Sequence, residues 1–260
     1  MASTAAQAVF NGGWTIRAPH LVSDNRRSGF AFEQWGVDTC LGMLSLEAMR
    51  ELESIMTISE YNAGDNLFLE QLPLNHVFIV ITGDVRLSMQ SIGGRRLTIQ
   101  IAKRGAVLGM DSVLNGTLSG WSADTLYPSR IGVIGQGHFH RFAEMHPEIY
   151  RIASKEISGM LQNACSALRI VGLSSCVRKR LASQLLTWGE RGNKSGDQTQ
   201  FRLAMTHTQI AECIGAVRET VTRGLIVFKQ RGLVEIRGSI LRIPSMAALR
   251  KFVEDNESRL

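Results

Sequence analysis

Apolar residues recur in three patterns along the first two-thirds of this 260-residue chain, and each pattern predicts a different structure. Between Met43 and Met56 the apolar residues lie at helical spacing, which predicts a short amphipathic helix. From Tyr61 to Gly137 short β-rich runs alternate with glycines, a texture typical of antiparallel barrels and rolls. The predicted strands are 66–69, 77–81, 85–89, 97–101, 121–126 and 130–134.

The third pattern predicts a long helix that begins at residues 146–148. Its small and apolar positions follow a 4-3-4-3-4 spacing, which is the spacing of a seam between paired helices. The seam residues are Ala153, Ile157, Met160, Ala164, Ala167 and Val171. The seam could pack against its own domain, but its alanines favour a parallel pairing with a second copy of the chain. The pattern stops near residues 172–175, where we expect a hinge.

Two short helices joined by a tight turn are predicted after residue 205. Thr206 is a helix N-cap candidate, and Gly215 has the position of a C-terminal cap. Helix, glycine turn and second helix together form a helix-turn-helix pattern. Three apolar residues form the buried stripe of the second helix, because the second and third of them lie within about 40° of the first. They are Val221, Leu225 and Phe228.

The other flank of the second helix carries Arg218, Glu219, Thr222 and Arg223. An arginine can donate two hydrogen bonds to guanine, and a glutamate can accept one from cytosine N4. A helix with these side chains is suited to the major groove of DNA. The alternative is a solvated helix face with an ion pair between Glu219 and Arg223.

A β-hairpin is predicted directly after these helices. Residues 232–236 and 239–243 alternate between apolar and polar, with Arg237-Gly238 between them as a tight turn. Such a hairpin is a "wing", and an arginine at its tip can contact the phosphate backbone.

Charge is distributed unevenly and supports binding to nucleic acid. Residues 1–176 carry 14 Lys/Arg and 15 Asp/Glu, whereas residues 177–260 carry 15 and 8, so the net +6 comes from the C-terminal third. A basic domain attached to a near-neutral remainder is typical of nucleic-acid-binding proteins.

Composition excludes several other classes of protein. No apolar run approaches the ~18–20 residues that span a bilayer, and the N-terminus lacks the basic and apolar regions of a secretion signal. The cysteines, which form no C-x-x-C pair, fit a reducing cytoplasm. No nucleophile–base order, paired carboxylates, metal motif or P-loop indicates an enzyme. The four cysteines are Cys40, Cys165, Cys176 and Cys213.

The order of these parts resembles the cyclic-AMP receptor protein/fumarate-nitrate reductase regulator (CRP/FNR) family of bacterial transcription factors over residues 43–255. The roll motif is visible in residues 64–68 and 77–87, and Arg218-Glu219-x-x-x-Arg223 matches the base-reading triplet of the cyclic-AMP receptor branch. The resemblance implies an α+β chain with a double-stranded β-roll, a dimerisation helix and a winged helix-turn-helix. The expected segments are an irregular extension (1–42), the roll (43–145), the helix (146–172), a hinge (173–177) and the DNA-binding domain (178–255).

The same resemblance implies what the protein binds. The expected partners are double-stranded DNA with palindromic TGTGA-like half-sites, a second copy of the chain and RNA polymerase, in the bacterial cytoplasm on the nucleoid. Arg218, Glu219, Arg223 and Thr222 are the expected base-reading residues. Positions that look like backbone-phosphate contacts in the family are Thr206, Val217, Thr220 and Arg237.

The effector pocket is where the sequence departs from the family. Cyclic-AMP binders carry Gly-Glu-Leu and then Arg-Ser/Thr-Ala, whose arginine pairs with the cyclic phosphate. The corresponding stretches here run from Gly109 to Ser112 and from Gly120 to Ala123, and they contain no arginine. Asp111 could replace the glutamate, but a buried phosphate without a guanidinium is costly, so cyclic AMP is not expected to bind. The residues of this degenerate pocket are Met110, Asp111, Ser112, Gly120, Trp121 and Ser122.

Other effectors are constrained less tightly by the sequence. An iron–sulfur cluster needs about four cysteine ligands, and the N-terminal region offers only Cys40, so a cluster is not expected. Haem stays open as a cofactor, because His76, His138, His140 and His146 could be axial ligands. The roll is therefore either a divergent sensor or a dimerisation platform. The alternative function is a ligand-, haem- or redox-sensing module that acts through protein partners.

Overall fold

The computed structural model describes residues 39–174 and 176–254 in full and the backbone of residues 8–10, 14–16 and 20–21. The predicted irregular extension over residues 1–42 therefore falls largely outside the described residues. Contacts divide the chain into two compact units, Met1–Met89 with Ile99–Asn163 and Gln90–Thr98 with Ala164–Leu260. In the described part of the chain, no helix is both long and apolar enough to cross a membrane.

A 3-10 turn at Cys40–Met43 comes before the first helix of the described chain. The helices are α1 (Leu46–Ile55), α2 (Met110–Asn115), α3 (Gln136–Met145), α4 (Ile149–Leu173), α5 (Val177–Glu190), α6 (His207–Ile214), α7 (Arg218–Gln230) and α8 (Met246–Glu254). The strands are β1 (Ala8–Phe10), β2 (Trp14–Ile16), β3 (His20–Leu21), β4 (Thr57–Tyr61), β5 (Asn66–Phe68), β6 (His76–Thr82), β7 (Val85–Gln90), β8 (Arg96–Ala102), β9 (Val107–Leu108), β10 (Ser122–Thr125), β11 (Ser129–Gly135), β12 (Asn193–Ser195), β13 (Gln198–Arg202), β14 (Glu235–Arg237) and β15 (Ile240–Ile243).

Two larger antiparallel sheets make up most of the first unit, as expected for a β-roll, and β1 and β2 form a separate two-stranded sheet. One sheet has the strand order β5-β10-β7-β8 and the other has the order β3-β4-β11-β6-β9. β6 is the most apolar strand, and its five middle residues are buried, which shows that both of its faces are covered. Helices α2 and α3 pack against this strand, and α1 packs against α3.

All six strands predicted in this region are present, with no end shifted by more than one residue. The strands β4 and β9 and the helices α2 and α3 were not predicted. Helix α2 has only six residues between Gly109 and Gly116, both of which have left-handed backbone, so it lacks room for a readable apolar period. Helix α3 buries Phe139, Phe142 and Ala143 against the roll.

The long helix α4 divides its apolar residues between two directions. Ala153 belongs to the core of the first unit, and Met160 packs against that core, so these two side chains meet their own domain. Four large apolar side chains stay exposed along one side of α4, namely Tyr150 (49%), Ile157 (41%), Leu161 (64%) and Leu168 (72%). We call these four residues the exposed stripe of α4.

The structure places the residues of the predicted seam on two sides of α4. Ile157 lies on the exposed stripe, but Ala153 and Ala167 are buried. At a helical turn of about 100° per residue, the exposed stripe is rotated by roughly 60° from the centre of the predicted seam. A spacing pattern cannot separate these faces, because small and large apolar residues continue around that side of the helix.

The second unit is built from four helices, α5 to α8, and a sheet of order β12-β13-β15-β14. Its core is one cluster, which includes Leu181, Leu185, Ile214, Phe228 and Leu241. Cys213 is buried in this cluster.

The predicted wing is present with a different turn. Arg237 belongs to β14 and pairs with Ile240, so the two-residue turn is Gly238-Ser239. Gly232 lies in the turn after α7, three residues before β14 begins. β13 pairs with β15 and adds β12 beyond it, which makes a four-stranded sheet instead of an isolated hairpin. β12 and β13 escaped prediction because they are polar and largely exposed.

Candidate nucleic-acid interface

Helix α6 begins at a complete capping box. The Thr206 hydroxyl accepts a hydrogen bond from the Gln209 amide (3.2 Å), and the Gln209 side chain accepts one from the Thr206 amide (2.8 Å). This reciprocal pair satisfies two backbone donors that the start of a helix leaves open. The Thr206 hydroxyl proton takes no part in this box and can be donated to another group.

Gly215 makes the turn between the two helices possible. Its φ is +60°, a left-handed conformation that glycine adopts without steric cost, and its amide donates to Ala211. Helix α7 then approaches α5 closely at Gly224, where an added Cβ would lie 2.8 Å from Leu181. The buried side of α7 consists of Val221, Leu225 and Phe228, as predicted.

Three predicted base-reading side chains extend from the opposite side of α7. Arg218, Glu219 and Arg223 are exposed. Among the described residues, no hydrogen bond or ion pair engages any of these three side chains, so the alternative Glu219–Arg223 pair is not formed. Three charged groups that have no partner in the described part of the chain are available to an external ligand with hydrogen-bonding edges.

Thr222, the fourth predicted base-reading residue, is engaged within the protein. Its hydroxyl lies 2.8 Å from His207 Nδ1 and 3.0 Å from the Arg218 carbonyl, to which it can donate. His207 is the first residue of α6, so this contact joins the two helices on their polar side. No sequence pattern indicated this contact, because residues 207 and 222 are brought together only by the turn between the helices.

The start of α7 is open to an anion. Its N-cap residue is Val217, which makes no side-chain cap, and the Val217 side chain is 60% exposed. The free N–H groups of a helix start and the helix dipole favour a negatively charged group such as a phosphate. Thr220 is half-buried in the same turn.

Arg237 is exposed on the last residue of β14. The neighbouring Arg242 differs, because its guanidinium donates to Glu235 (3.2 Å) and to Gln198 (2.5 Å). Glu235, Gln198 and both arginines, Arg242 and Arg237, line a cavity of about 310 Å³ on the outer face of the sheet. Arg237 is therefore the arginine of this cavity that is not bound to Glu235.

The six residues of the degenerate effector pocket come from two separate segments. Met110, Asp111 and Ser112 form the first turn of α2, and Met110 and Ser112 are buried. Gly120 and Trp121 precede β10, and the Ser122 hydroxyl accepts a hydrogen bond from the Glu70 amide. Trp121 is half-buried, and its indole nitrogen is buried without a partner.

A buried arginine that sequence reasoning missed lies in the same sheet. Arg86 on β7 is opposite Asp124 on β10, and its Nε and Nη2 donate to the two carboxylate oxygens at 3.1 and 2.6 Å. Both residues are less than 10% exposed. Fork-to-fork pairing of this kind is strong and directional, so the guanidinium already holds an anionic partner.

The candidate haem and thiol residues are dispersed through the first unit and around α4. His146 Nε2 lies 2.8 Å from Glu51, and His140 Nε2 lies 3.4 Å from Gln136. Within the described residues, no group of three or more His, Cys, Asp or Glu side chains could hold a metal ion. Burial and a hydrogen bond to Glu156 raise the pKa of the Cys40 thiol to about 11, so this thiol is a poor nucleophile.

Two family models match the chain in the order of its two units. "Cyclic nucleotide-binding domain" matches residues 58–146, and "Crp-like helix-turn-helix domain" matches residues 179–252. With the winged helix-turn-helix geometry, these matches define a DNA-binding transcription regulator. The chain belongs to the CRP/FNR family of such regulators, as its sequence motifs indicated.

Curated relatives of this chain are regulators of several kinds. The "Nitrogen fixation regulation protein FixK" of Bradyrhizobium diazoefficiens is 29% identical over 74% of this chain and 81% of its own length. The "CRP-like cAMP-activated global transcriptional regulator" of Mycobacterium tuberculosis is 25% identical over 71% of this chain and 82% of its own length.

Solved structures share the fold. FixK2 from Bradyrhizobium japonicum superposes with a TM-score of 0.64 at 22% identity, covering 76% of this chain and 96% of that one. A CooA mutant from Carboxydothermus hydrogenoformans superposes with a TM-score of 0.66 at 20% identity, covering 77% and 88%.

Proposed function

We propose that this regulator is a homodimer that reads a palindrome with TGTGA-like half-sites through α7. The observation that carries the proposal is the set of three exposed charged side chains, Arg218, Glu219 and Arg223, on a helix that α6 and α5 hold in place. The two arginines would donate to guanine O6 and N7, and Glu219 would accept from cytosine N4. Thr222 would fix α7 against His207 instead of contacting a base.

Backbone phosphates would orient the two helices on the duplex. The Thr206 hydroxyl proton and the open amides after Val217 are donors of the kind that phosphate oxygens accept. Thr220 would contribute its hydroxyl from the first turn of α7, and Arg237 would reach the backbone from the wing. These contacts carry little sequence information, but they make the affinity fall steeply with salt concentration.

A second copy of the chain would cover the exposed stripe of α4. Four large apolar side chains in water cost free energy that burial between two parallel helices recovers. Dimerisation also pairs two α7 helices for two half-sites about one helical turn apart. The homodimer would act in the bacterial cytoplasm on the nucleoid, with RNA polymerase as its protein partner.

Control by cyclic AMP is not part of this proposal. Asp111 could replace the glutamate of cyclic-AMP binders, but Gly120 or Trp121 stands where those proteins have the arginine, and Trp121 is half-buried there. Arg86 is bound on two of its nitrogens by Asp124. A cyclic phosphate would therefore have to displace a buried carboxylate before it gained a guanidinium.

The proposal is tested by measuring the affinity of ligand-free protein for a TGTGA-type palindrome and for a scrambled duplex at near-physiological salt. Replacing Arg218 or Arg223 by alanine should cost about 1–3 kcal/mol on the palindrome and relax base preference at one position. Arg237→Ala should weaken binding to both duplexes equally. It should also lower the slope of log affinity against log salt concentration by about one.

Arg250→Ala is the matched control for lost charge, because Arg250 is an exposed residue of α8 whose contact with Glu190 is 4.0 Å long. This variant should bind both duplexes like the unmodified protein. Equal affinity of the unmodified protein for palindrome and scrambled duplex would contradict the proposal.

A further inference from the structure

One guanidinium in the second unit reaches the C-terminal ends of two helices. Arg180 lies in the first turn of α5, and its Nε donates to the carbonyl of Ser174, the residue after α4, at 2.7 Å. Its Nη1 lies 3.4 Å from the carbonyl of Ile214 and 3.5 Å from that of Gly215, at the end of α6. The side chain thus bridges the end of α4 and the helix-turn-helix turn.

Both ends attract a cation for the same reason. The last carbonyls of a helix have no partner within it, and the helix dipole adds a partial negative charge there. A guanidinium presents five N–H groups in a rigid plane and stays charged, so one arginine can satisfy carbonyls from two directions at once. A lysine would offer a single flexible ammonium.

Packing at the same place is tight. A Cβ added at Gly215 would lie 3.1 Å from Val171, near the end of α4, and 3.9 Å from the Arg180 guanidinium. Ile170, also on α4, packs against the core of the second unit. The turn that precedes α7 is therefore held between Val171 and Arg180, and a movement of the end of α4 would be transmitted to it.

We propose that Arg180 is a positioning residue that fixes the helix-turn-helix to the end of α4 and so sets the half-site spacing that the dimer accepts. This inference rests on the proposed homodimer and its palindromic site. A rigid connection from each α4 to its α7 makes one separation of half-sites favourable. Without the bridge, each helix-turn-helix pivots relative to the end of its α4 and tolerates several separations.

The test uses the full chain and palindromes whose half-sites are separated by the optimal spacing, or by one or two base pairs more or fewer. The unmodified protein should bind the palindrome of one spacing about tenfold or more tightly than the others. This factor lies within the range by which one mismatched base pair alters affinity. In Arg180→Gln the preference should fall to about threefold or less, with the affinity for a duplex carrying one half-site unchanged. The spacing preference of Arg180→Lys should lie between those of Arg180→Gln and the unmodified protein. Arg250→Gln, which also removes one positive charge, should behave like the unmodified protein.

Hydrogen exchange of the free protein gives a second readout, which needs no DNA. The amides of residues 214–217 should exchange faster in Arg180→Gln than in the unmodified protein or Arg250→Gln. Unchanged exchange in this turn would overturn the inference. So would an equal loss of affinity at every spacing and at the single half-site, because that pattern describes a phosphate contact. If the unmodified protein bound no palindrome, the proposed function would fail, and exchange in the turn would still decide whether Arg180 holds it.

Discussion

Thr222 shows how one contact changes the role of a residue. Its position on the exposed flank of α7 predicted a base reader, but its hydroxyl lies against His207 Nδ1 and the Arg218 carbonyl. By contrast, the side chains of Arg218, Glu219 and Arg223 on the same flank have no partner among the described residues. Helical spacing determines which side of a helix a residue occupies, whereas its partners depend on the helix that packs beside it.

Thr222→Val should therefore affect stability more than recognition. The change keeps the shape of the side chain but removes the hydroxyl, and it should lower the free energy of unfolding by about 1 kcal/mol. Base preference at each operator position should stay the same. Urea unfolding and a panel of single-base operator variants measure the two quantities. A loss of preference at one base pair without a loss of stability would restore Thr222 as a base reader.

Gly215 connects sequence and structure at the level of elements. A glycine after a capped apolar run predicted the end of α6, and the structure gives it the left-handed φ of +60° that this role requires. The sequence could not show that Val171 of α4 lies against the same residue, because 44 positions separate them. The local signal thus predicted the turn but not its contact with α4.

Gly215→Ala should destabilise the protein more than Gly196→Ala. Both glycines have a φ of +60°, so each alanine should cost about 1–2 kcal/mol for the left-handed conformation. Only at Gly215 does an added Cβ meet a neighbour, since the space around Gly196 is open. Chemical denaturation of both variants should give a further loss of about 1 kcal/mol for Gly215→Ala. Equal losses would show that Val171 moves aside without cost.

At the scale of the whole molecule, the exposed stripe of α4 is the feature with the largest expected consequence. Leu161→Asp should weaken dimerisation by about 100-fold or more, because each copy loses a leucine that the dimer would bury and gains a charge facing its partner. Ile92→Asp is the control, since Ile92 is fully exposed outside the stripe, between β7 and β8. Sedimentation at several concentrations measures both. A dimer that tolerates Leu161→Asp would place the interface elsewhere.

The first unit should not respond to cyclic AMP. Calorimetric titration of the protein with cyclic AMP should give no saturable heat at micromolar concentrations. The guanidinium of Arg86 is already paired with the Asp124 carboxylate, and positions 120 and 121 are a glycine and a tryptophan instead of an arginine. The same preparation should bind the palindromic duplex, which shows that it is active. Saturable micromolar binding would contradict the assignment of a degenerate pocket.

The sequence by itself determined six strands of the first unit, the capped helix-turn-helix of the second and the exposed flank of α7. Strands, caps and turns depend on neighbours a few positions apart, so alternation, capping residues and glycines identify them. The tertiary structure decided which face of α4 stays exposed, that Arg86 pairs with Asp124, and that Arg180 joins the ends of α4 and α6. Each of these depends on residues far apart in the chain, whose meeting is set by packing and not by local spacing.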